Sequence, residues 1–421
     1  MDRPVGISTL ENTVVILADE TANWEIAGLR QLDRLAFALN EFLGSERKTE
    51  SPKIYIFWRP DISCEQRWVP RRRRLSGLEI KSDLNELMLE SGPIDLVLST
   101  RLFLTRTSFG HLLERARPTA LRETGQTENE FWQGCFRACE DAFRSLPSTE
   151  RDASEWKYIV NRKDISWCET LFLRGSGKSQ DGLVSRFINR RVSRLVTRLL
   201  LKLPITPSAW TLVILVLPVA GAFALVRGDY WGFVIGMIVY EIYSVLDGCD
   251  GEIARAKYLE SEAGSRLDNL CDHAGNLLMV VCLGIGLFRS QAIANPWRTF
   301  YLVEGIVAAI LIAANEALLL ASGCEANMKS NLLGGTLYPR HRALIRGSGI
   351  LFFGEKFSWW LTQMTKRDVA LFVFVILGTI SRPPWILHLI CAFALISLIL
   401  ASKAAISLRT KRNTFASSQA H

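Results

Sequence analysis

From residue 207 onward the chain is dominated by apolar runs of bilayer-spanning length, and carboxylates stand at the ends of two of them. A run of ~20 apolar residues reads as a transmembrane helix, because a helix satisfies every backbone polar group within hydrocarbon. A carboxylate there is costly, so intramembrane acids line a polar cavity, bind cations or mark a reaction site. The stretch from Asp247 to Asp272 reads DGCDGEIARAKYLESEAGSRLDNLCD. Asp247 and Asp250 are three apart and Asp268 and Asp272 four apart, so in helices each pair falls on one face within one turn. Two such helices bring four acids together.

Six spans are predicted, at 207–226, 230–254, 266–288, 299–321, 367–380 and 383–406. The fifth is crowded by Asp368 and by SRPP at 381–384, and the aromatic stretch around Trp359 and Trp360 offers it an earlier start. If the second span begins at Tyr230, Asp247 lies ~25 Å along it, near the far end of the hydrocarbon core. The third span places Asp268 and Asp272 in its first two turns, on the same side. A short polar turn with Gly251 and Gly264 at its ends makes the two helices antiparallel neighbours. The segments assigned to the cytoplasm hold twenty Lys and Arg; the outer loops hold four, Arg227, Arg289, Arg298 and Arg382. The positive-inside rule then puts both termini and the acid cluster in the cytoplasm.

On these residues the chain resembles the CDP-alcohol phosphotransferase family, whose signature is D-x-x-D-G-x-x-A-R, eight residues, then G-x-x-x-D-x-x-x-D. Asp247, Asp250, Gly251, Ala254, Arg255, Gly264, Asp268 and Asp272 fill every position. The resemblance implies metal-dependent transfer of a substituted phosphate from a CDP-linked donor to an acceptor hydroxyl, with release of CMP, in phospholipid or polyol-phosphate synthesis. It implies that Asp247, Asp250 and Asp268 are metal ligands, that Asp272 is both ligand and base, and that the protein is a homodimer. Clustered hard oxygens independently suit two divalent cations, Mg²⁺ or Mn²⁺. Gly251 lets a phosphate approach the backbone, Ala254 keeps the same face shallow, and Arg255 offers a fork of donors to phosphate oxygens. The alternative for the acids is a set of structural ion pairs with Arg255 and Arg266.

Ahead of the first span, residues 181–207 carry apolar residues at helical spacing, with Arg186, Arg190, Arg194 and Arg198 four apart on another face. This predicts an amphipathic helix in the membrane interface, its arginines meeting lipid headgroups or a substrate phosphate. The stretch is most similar to the inositol-phosphate-transferring branch of the family, in which a nucleotidyltransferase-like domain precedes the membrane enzyme. Thr206, Pro207 and Ser208 stand where family members often have Thr-Pro-Asn. Asn276, one turn beyond Asp272, joins Arg190 and Arg194 as a candidate for the acceptor pocket. Glu304, Asn315 and Glu316 in the fourth span are weaker ones.

The chain is 49% hydrophobic with mean hydropathy +0.15, yet its first half is rich in charge, so it divides into two domains. The expected layout is a cytoplasmic α/β domain over 1–175, a linker and interfacial helix over 176–206, the six-helix domain over 207–408 and a polar tail over 409–421. VVILA (14–18), IYIFW (54–58) and IDLVLS (94–99) read as buried strands, with helical patterns at 25–44 and 108–117 between them. The layout resembles a nucleotidyltransferase with a Rossmann-like sheet. The first strand leads into ADETANWE (18–25) rather than a Gly-rich basic loop, and the third runs into Ser99, Thr100 and Arg101 rather than a metal-binding Asp. The domain therefore reads as catalytically degenerate, a scaffold or ligand-sensing module.

Other features are unremarkable. GSGKS (175–179) has Phe172 where a phosphate loop needs Gly, and reads as linker. The nine cysteines lack paired CxxC spacing, and Cys249 and Cys271 read as small packing residues. MDRPVGIST has no apolar core of a secretory signal. The net charge of +8 is mostly membrane-facing, and the run Arg71 to Arg74 lacks the context of a nucleic-acid site. Against the enzyme stands a cation transporter or channel using the same acids, but acids gathered at one membrane face beside Gly251 and Arg255 fit that class poorly.

Overall fold

The computed structural model describes residues 13–46, 53–70, 75, 80–81, 96–105, 109, 127–151, 155–175, 182–294, 297–321 and 366–418. These fall into two compact units, Met1–Ser176 with Arg198–Pro204 and Arg255–Leu259, and Gly177–Thr197 with Ile205–Ala254 and Glu260–His421. The Arg71 to Arg74 run, Trp359, Trp360 and most of the 108–117 pattern lie outside the described residues.

In the first unit, β1 (Thr13–Ala18), β4 (Lys53–Trp58), β5 (Ile80–Lys81) and β6 (Leu96–Ser99) form a parallel sheet in the order β5-β4-β1-β6. The apolar run of β1 is buried on both faces, as a central parallel strand requires. Val14, Ile16 and Ala18 pack with Leu32, Leu35 and Leu39 of α1 (Gln31–Glu46), whereas Val15 and Leu17 pack with Tyr55, Phe57 and Trp132. Trp132 stands on α2 (Glu128–Ser145), which starts at a capping box formed by Thr127 and Glu130. The predicted helix over 25–44 starts only at Gln31. Ahead of it β2 (Glu25–Ile26) and β3 (Leu29–Arg30) pair around Ala27 and Gly28, both with positive φ, which a helix excludes.

Residues 102–175 add the ribbon of β7 (Leu102–Leu104) and β8 (Trp156–Tyr158), the single turn α3 (Ser148–Arg151) and α4 (Asp164–Gly175). Burial opposes ionisation of Asp164, but the N–H groups of Val160 and Asn161 and the Lys157 ammonium outweigh it and hold its carboxyl below the usual range. Burial pushes the Cys168 thiol of α4 up to about 12, as expected of a packing cysteine.

The second unit is helical. A π-turn at Ser185–Asn189 leads into α5 (Arg190–Leu200), followed by α6 (Pro207–Ile214), α7 (Val216–Val226), α8 (Tyr230–Ala256), α9 (Glu262–Arg289), α10 (Trp297–Ala321), α11 (Arg367–Thr379) and α12 (Pro383–Ser418). Among the described residues, four helical spans are long and apolar enough to cross a membrane: Pro207–Val226, Tyr230–Ala256, Glu262–Arg289 and Trp297–Leu318. The first is interrupted at Leu215, because Pro218 has no N–H to offer the Ile214 carbonyl. The fifth predicted span coincides with α11, only 13 residues long, and the sixth lies within α12.

The polar turn predicted between the two acid pairs shrinks to residues 257–261. The second helix runs to Ala256, and Ser261 caps the third, its hydroxyl accepting from the Gly264 N–H at 3.1 Å. Glycines allow close packing deeper in the bundle. A Cβ on Gly284 of α9 would stand 3.2 Å from the Gly305 Cα of α10, and Leu283, Leu287 and Ala308 beside this crossing are fully buried. The outward face of α10 exposes Trp297, Phe300, Val303, Ile306 and Ile310, apolar residues suited to lipid.

Gly284→Leu should therefore force α9 from α10 and destabilise the bundle by roughly 1–3 kcal/mol, the usual cost of overpacking. Thermal unfolding of the detergent-solubilised protein checks this, with a lowered midpoint expected.

Candidate active site

The paired acids converge as their spacing predicts. One carboxylate oxygen each from Asp247, Asp250 and Asp268 lies within 4.8 Å of the others. Oxygens on opposite sides of a hard divalent cation stand about 4–5 Å apart, so the trio fits one without rearrangement of the helices. The donor set is all oxygen, and Asp247 Oδ1 is buried with no hydrogen-bond partner among the described residues, which leaves its lone pairs open to a cation. Asp250 is held from the first span, accepting from the Thr211 hydroxyl at 2.7 Å. The same span is tied to α8 by the Trp210 indole, which donates to the Leu246 carbonyl at 3.0 Å.

Asp272 has other partners. Its Oδ1 accepts from Arg367 Nη1 at 2.6 Å and from the Tyr243 hydroxyl at 3.0 Å. The same Nη1 stands 3.7 Å from Asp247 Oδ2, and the guanidinium lies over the Tyr243 ring, 5.1 Å from its centroid. Arg266, one of the two cations that the structural alternative pairs with the acids, instead faces Glu262 at 3.7 Å on an exposed surface.

The remaining signature residues follow from helix geometry. Gly251 stands one residue past Asp250 on α8, and Ala254 and Arg255 occupy its last turn. Gly264 lies in the first turn of α9, where a Cβ would come 3.0 Å from Ser261 Oγ and 3.7 Å from Ser208 Oγ. Ser208, which replaces the usual Asn, thus lies beside the glycine of the second half of the signature.

Helix α5, predicted to lie in the membrane interface, turns its polar face inward. Arg190 is buried and its Nη1 donates to Glu252 Oε1 at 2.9 Å; Ser193 and Thr197 add bonds to the same carboxylate at 3.2 and 2.7 Å. Glu252 is 0% exposed, and a carboxylate so placed requires this pairing. The opposite face exposes Ile188, Val192, Leu195 and Leu199, an apolar stripe at helical spacing. Arg186 is exposed, Arg194 half-buried, and Arg198, within the first unit, donates to the Thr170 hydroxyl at 2.6 Å. Asn276 is half-buried on α9, one turn past Asp272. Glu304 pairs with His388 at 2.6 Å, Glu316 with His273 at 3.3 Å, and Asn315 accepts from Ser397 at 3.4 Å, so each of the three candidates in the fourth span has a partner within the bundle.

The sequence reading missed Arg367, Tyr243, Thr211 and Glu252. Arg367 is 95 residues past Asp272 and was counted only as a loop charge. Its one signal is its place just ahead of Asp368, at the start of a span too short to need two charges.

Comparison with known proteins agrees with the site. A family model described as CDP-alcohol phosphatidyltransferase matches residues 204–418. A protein of Archaeoglobus fulgidus named "Bifunctional IPC transferase and DIPP synthase" is 28% identical over 150 residues, 35% of this chain and 30% of that protein. Proteins of the same name from Rubrobacter xylanophilus and Thermococcus kodakarensis are 31% identical over 187 residues and 32% over 122. These cover 44% and 29% of this chain and 42% and 27% of the relatives, so the chain spans under half the length of the curated relatives it matches.

Thr211 donates directly to a carboxylate of the trio, so Thr211→Val should weaken divalent-cation binding by about 10–100-fold, the usual effect of losing a hydrogen bond that orients a ligand. Titration of the purified protein with Mn²⁺, followed by electron paramagnetic resonance, measures this directly.

Proposed function

Because the chain belongs to the CDP-alcohol phosphatidyltransferase family, we propose that it is an integral-membrane phosphotransferase moving a substituted phosphate from a CDP-linked donor to an acceptor hydroxyl. The observation that carries this is the convergence of Asp247, Asp250 and Asp268 from two facing helices, with Asp272 held beside them. In this reading Asp247, Asp250 and Asp268, with Asp272 as a fourth ligand, would hold two divalent cations, Mg²⁺ or Mn²⁺. When bound, such cations neutralise the donor pyrophosphate and the charge that develops on its bridging oxygen. Gly251 and Ala254 leave room for the donor, and Arg255 takes phosphate oxygens with its fork. The acceptor oxygen attacks the phosphorus that bears the donor alcohol. The bond from that phosphorus to CMP breaks, CMP leaves with the electron pair, and Asp272 takes the hydroxyl proton.

We further read α11 and α12 as the fifth and sixth spans, with both termini and the acid cluster cytoplasmic, as the Lys and Arg asymmetry supports. The exposed stripe of α5 then meets lipid, and a homodimer is expected from the family. The relatives' names favour polyol-phosphate synthesis over phospholipid synthesis. Acids near one end of α8 and α9, rather than midway along them, give an ion pathway no support.

For the soluble domain we propose a Rossmann-like but degenerate sheet. The strand order reverses at β1, and in a sheet of this kind a nucleotide crevice would lie beyond the ends of β1 and β6. Polar side chains of the domain fill that position. Asp19 Oδ1 accepts from the Thr21 N–H and hydroxyl, its Oδ2 pairs with Arg101, and Thr100 joins the network.

Activity should require Mg²⁺ or Mn²⁺ and vanish in EDTA, and Asp250→Asn should weaken both metal binding and turnover. Asp272→Asn should retain the CDP donor while losing about 10²-fold or more in turnover. CMP release across CDP-inositol and CDP-diacylglycerol donors, each with a panel of acceptors, tests the reaction and identifies the substrates. The full chain should release no pyrophosphate from CTP with any alcohol phosphate; clear release would make it bifunctional and overturn the degenerate reading.

A further inference from the structure

Two adjacent residues of opposite charge, Arg367 and Asp368, open α11 and reach opposite partners. Arg367 binds Asp272 Oδ1 and lies over Tyr243. Asp368 Oδ2 accepts from the Ser185 N–H at 2.7 Å, at the start of the interfacial helix. Gly182 packs directly on that carboxylate, and a Cβ there would collide with both of its oxygens. Over the next one to three turns the same helix closes on Glu252, two residues past Asp250, through Arg190, Ser193 and Thr197. The interfacial helix is therefore fastened at one point to α11 and at another to α8.

We propose that Arg367 is a positioning residue for Asp272, and that Asp368 sets its place by anchoring α11 to the interfacial helix. The proposal rests on the reading of Asp272 as the base. With Arg367 and Tyr243 both on Oδ1, the carboxylate is held in one rotamer, and Oδ2 is left to take a proton. An ammonium in place of the guanidinium supplies the charge but not the flat face that lies over Tyr243, so geometry and charge are separable. Asp368 acts one step further out. Without it, the start of α11 loses its bond to the helix that is locked to α8, and the guanidinium loses its fixed distance from α9.

The test is steady-state CMP release by the full chain in detergent micelles, with the metal and the CDP donor each titrated. Arg367→Gln should lower kcat by about 10²-fold, the scale of a catalytic group displaced by ~1 Å, with the donor KM held within about twofold. Added guanidinium should restore part of the turnover of Arg367→Ala but none of Asp272→Asn. Asp368→Ala and Gly182→Ala should lower kcat in the same manner, with the donor KM unchanged. Arg367→Lys and Tyr243→Phe, which disturb folding least, should show smaller kcat losses at the same KM. Wild-type kcat in both of these, or equal losses of metal affinity and kcat in Arg367→Gln, would overturn the proposal. Normal turnover in Asp272→Asn would show that the base reading itself had failed. An inactive Asp272→Asn beside fully active Arg367 variants would remove the positioning role alone.

Discussion

Mutual repulsion among four carboxylates at the meeting of α8 and α9 is the constraint around which the membrane unit is arranged. Two unit charges 4.8 Å apart oppose each other by roughly 3 kcal/mol at an effective dielectric constant of about 20. The described residues compensate through a few bonds drawn from distant elements. Arg367 comes from α11, Thr211 from the first span and Tyr243 from α8 itself. Asp247, Asp250 and Asp268 are left as a group suited to cations, while Asp272 is tied to a fixed guanidinium. One charge cluster thereby acquires two environments, one that collects metal and one that holds a carboxylate in place.

That division needs helices that stay close and keep their register. Gly284 against Gly305 brings α9 onto α10. The polar pairs Glu304 with His388 and Asn315 with Ser397 join α10 to α12. Buried Glu252 does the same for the interfacial helix, and its dependence on Arg190 explains why an arginine that the sequence offered to lipid headgroups or substrate faces the protein interior. An amphipathic helix in an interface has two polar choices, water or protein, and the presence of a buried acid decides between them.

The first unit carries the complementary case, a charge cluster neutralised from within. Asp19 and Arg101 pair just beyond the ends of β1 and β6, and the hydroxyls of Thr21 and Thr100 join them. A carboxylate buried this deeply requires such a partner.

The order of amino acids by itself determined the membrane-spanning character, the strands at 14–18 and 54–58, the described part of the third at Leu96–Ser99, and the convergence of the Asp cluster. Each of these rests on local periodicity, on run length or on spacing within one helix, which neighbouring residues settle among themselves. The break at Leu215 and the early cap at Ser261 were legible in principle, from Pro218 and from a Ser three residues before Gly264. The hairpin at residues 25–30 was less so, since Ala27 with positive φ carries no sequence signal. Only the tertiary structure chose the partners of the charges. Arg367 meets Asp272, Arg190 meets Glu252, Asp368 caps the helix at Ser185 and Asp19 meets Arg101. An ion pair across 60 to 95 residues depends on how whole helices and strands pack, and nothing in the local pattern of either residue specifies which opposite charge the packing will bring to it.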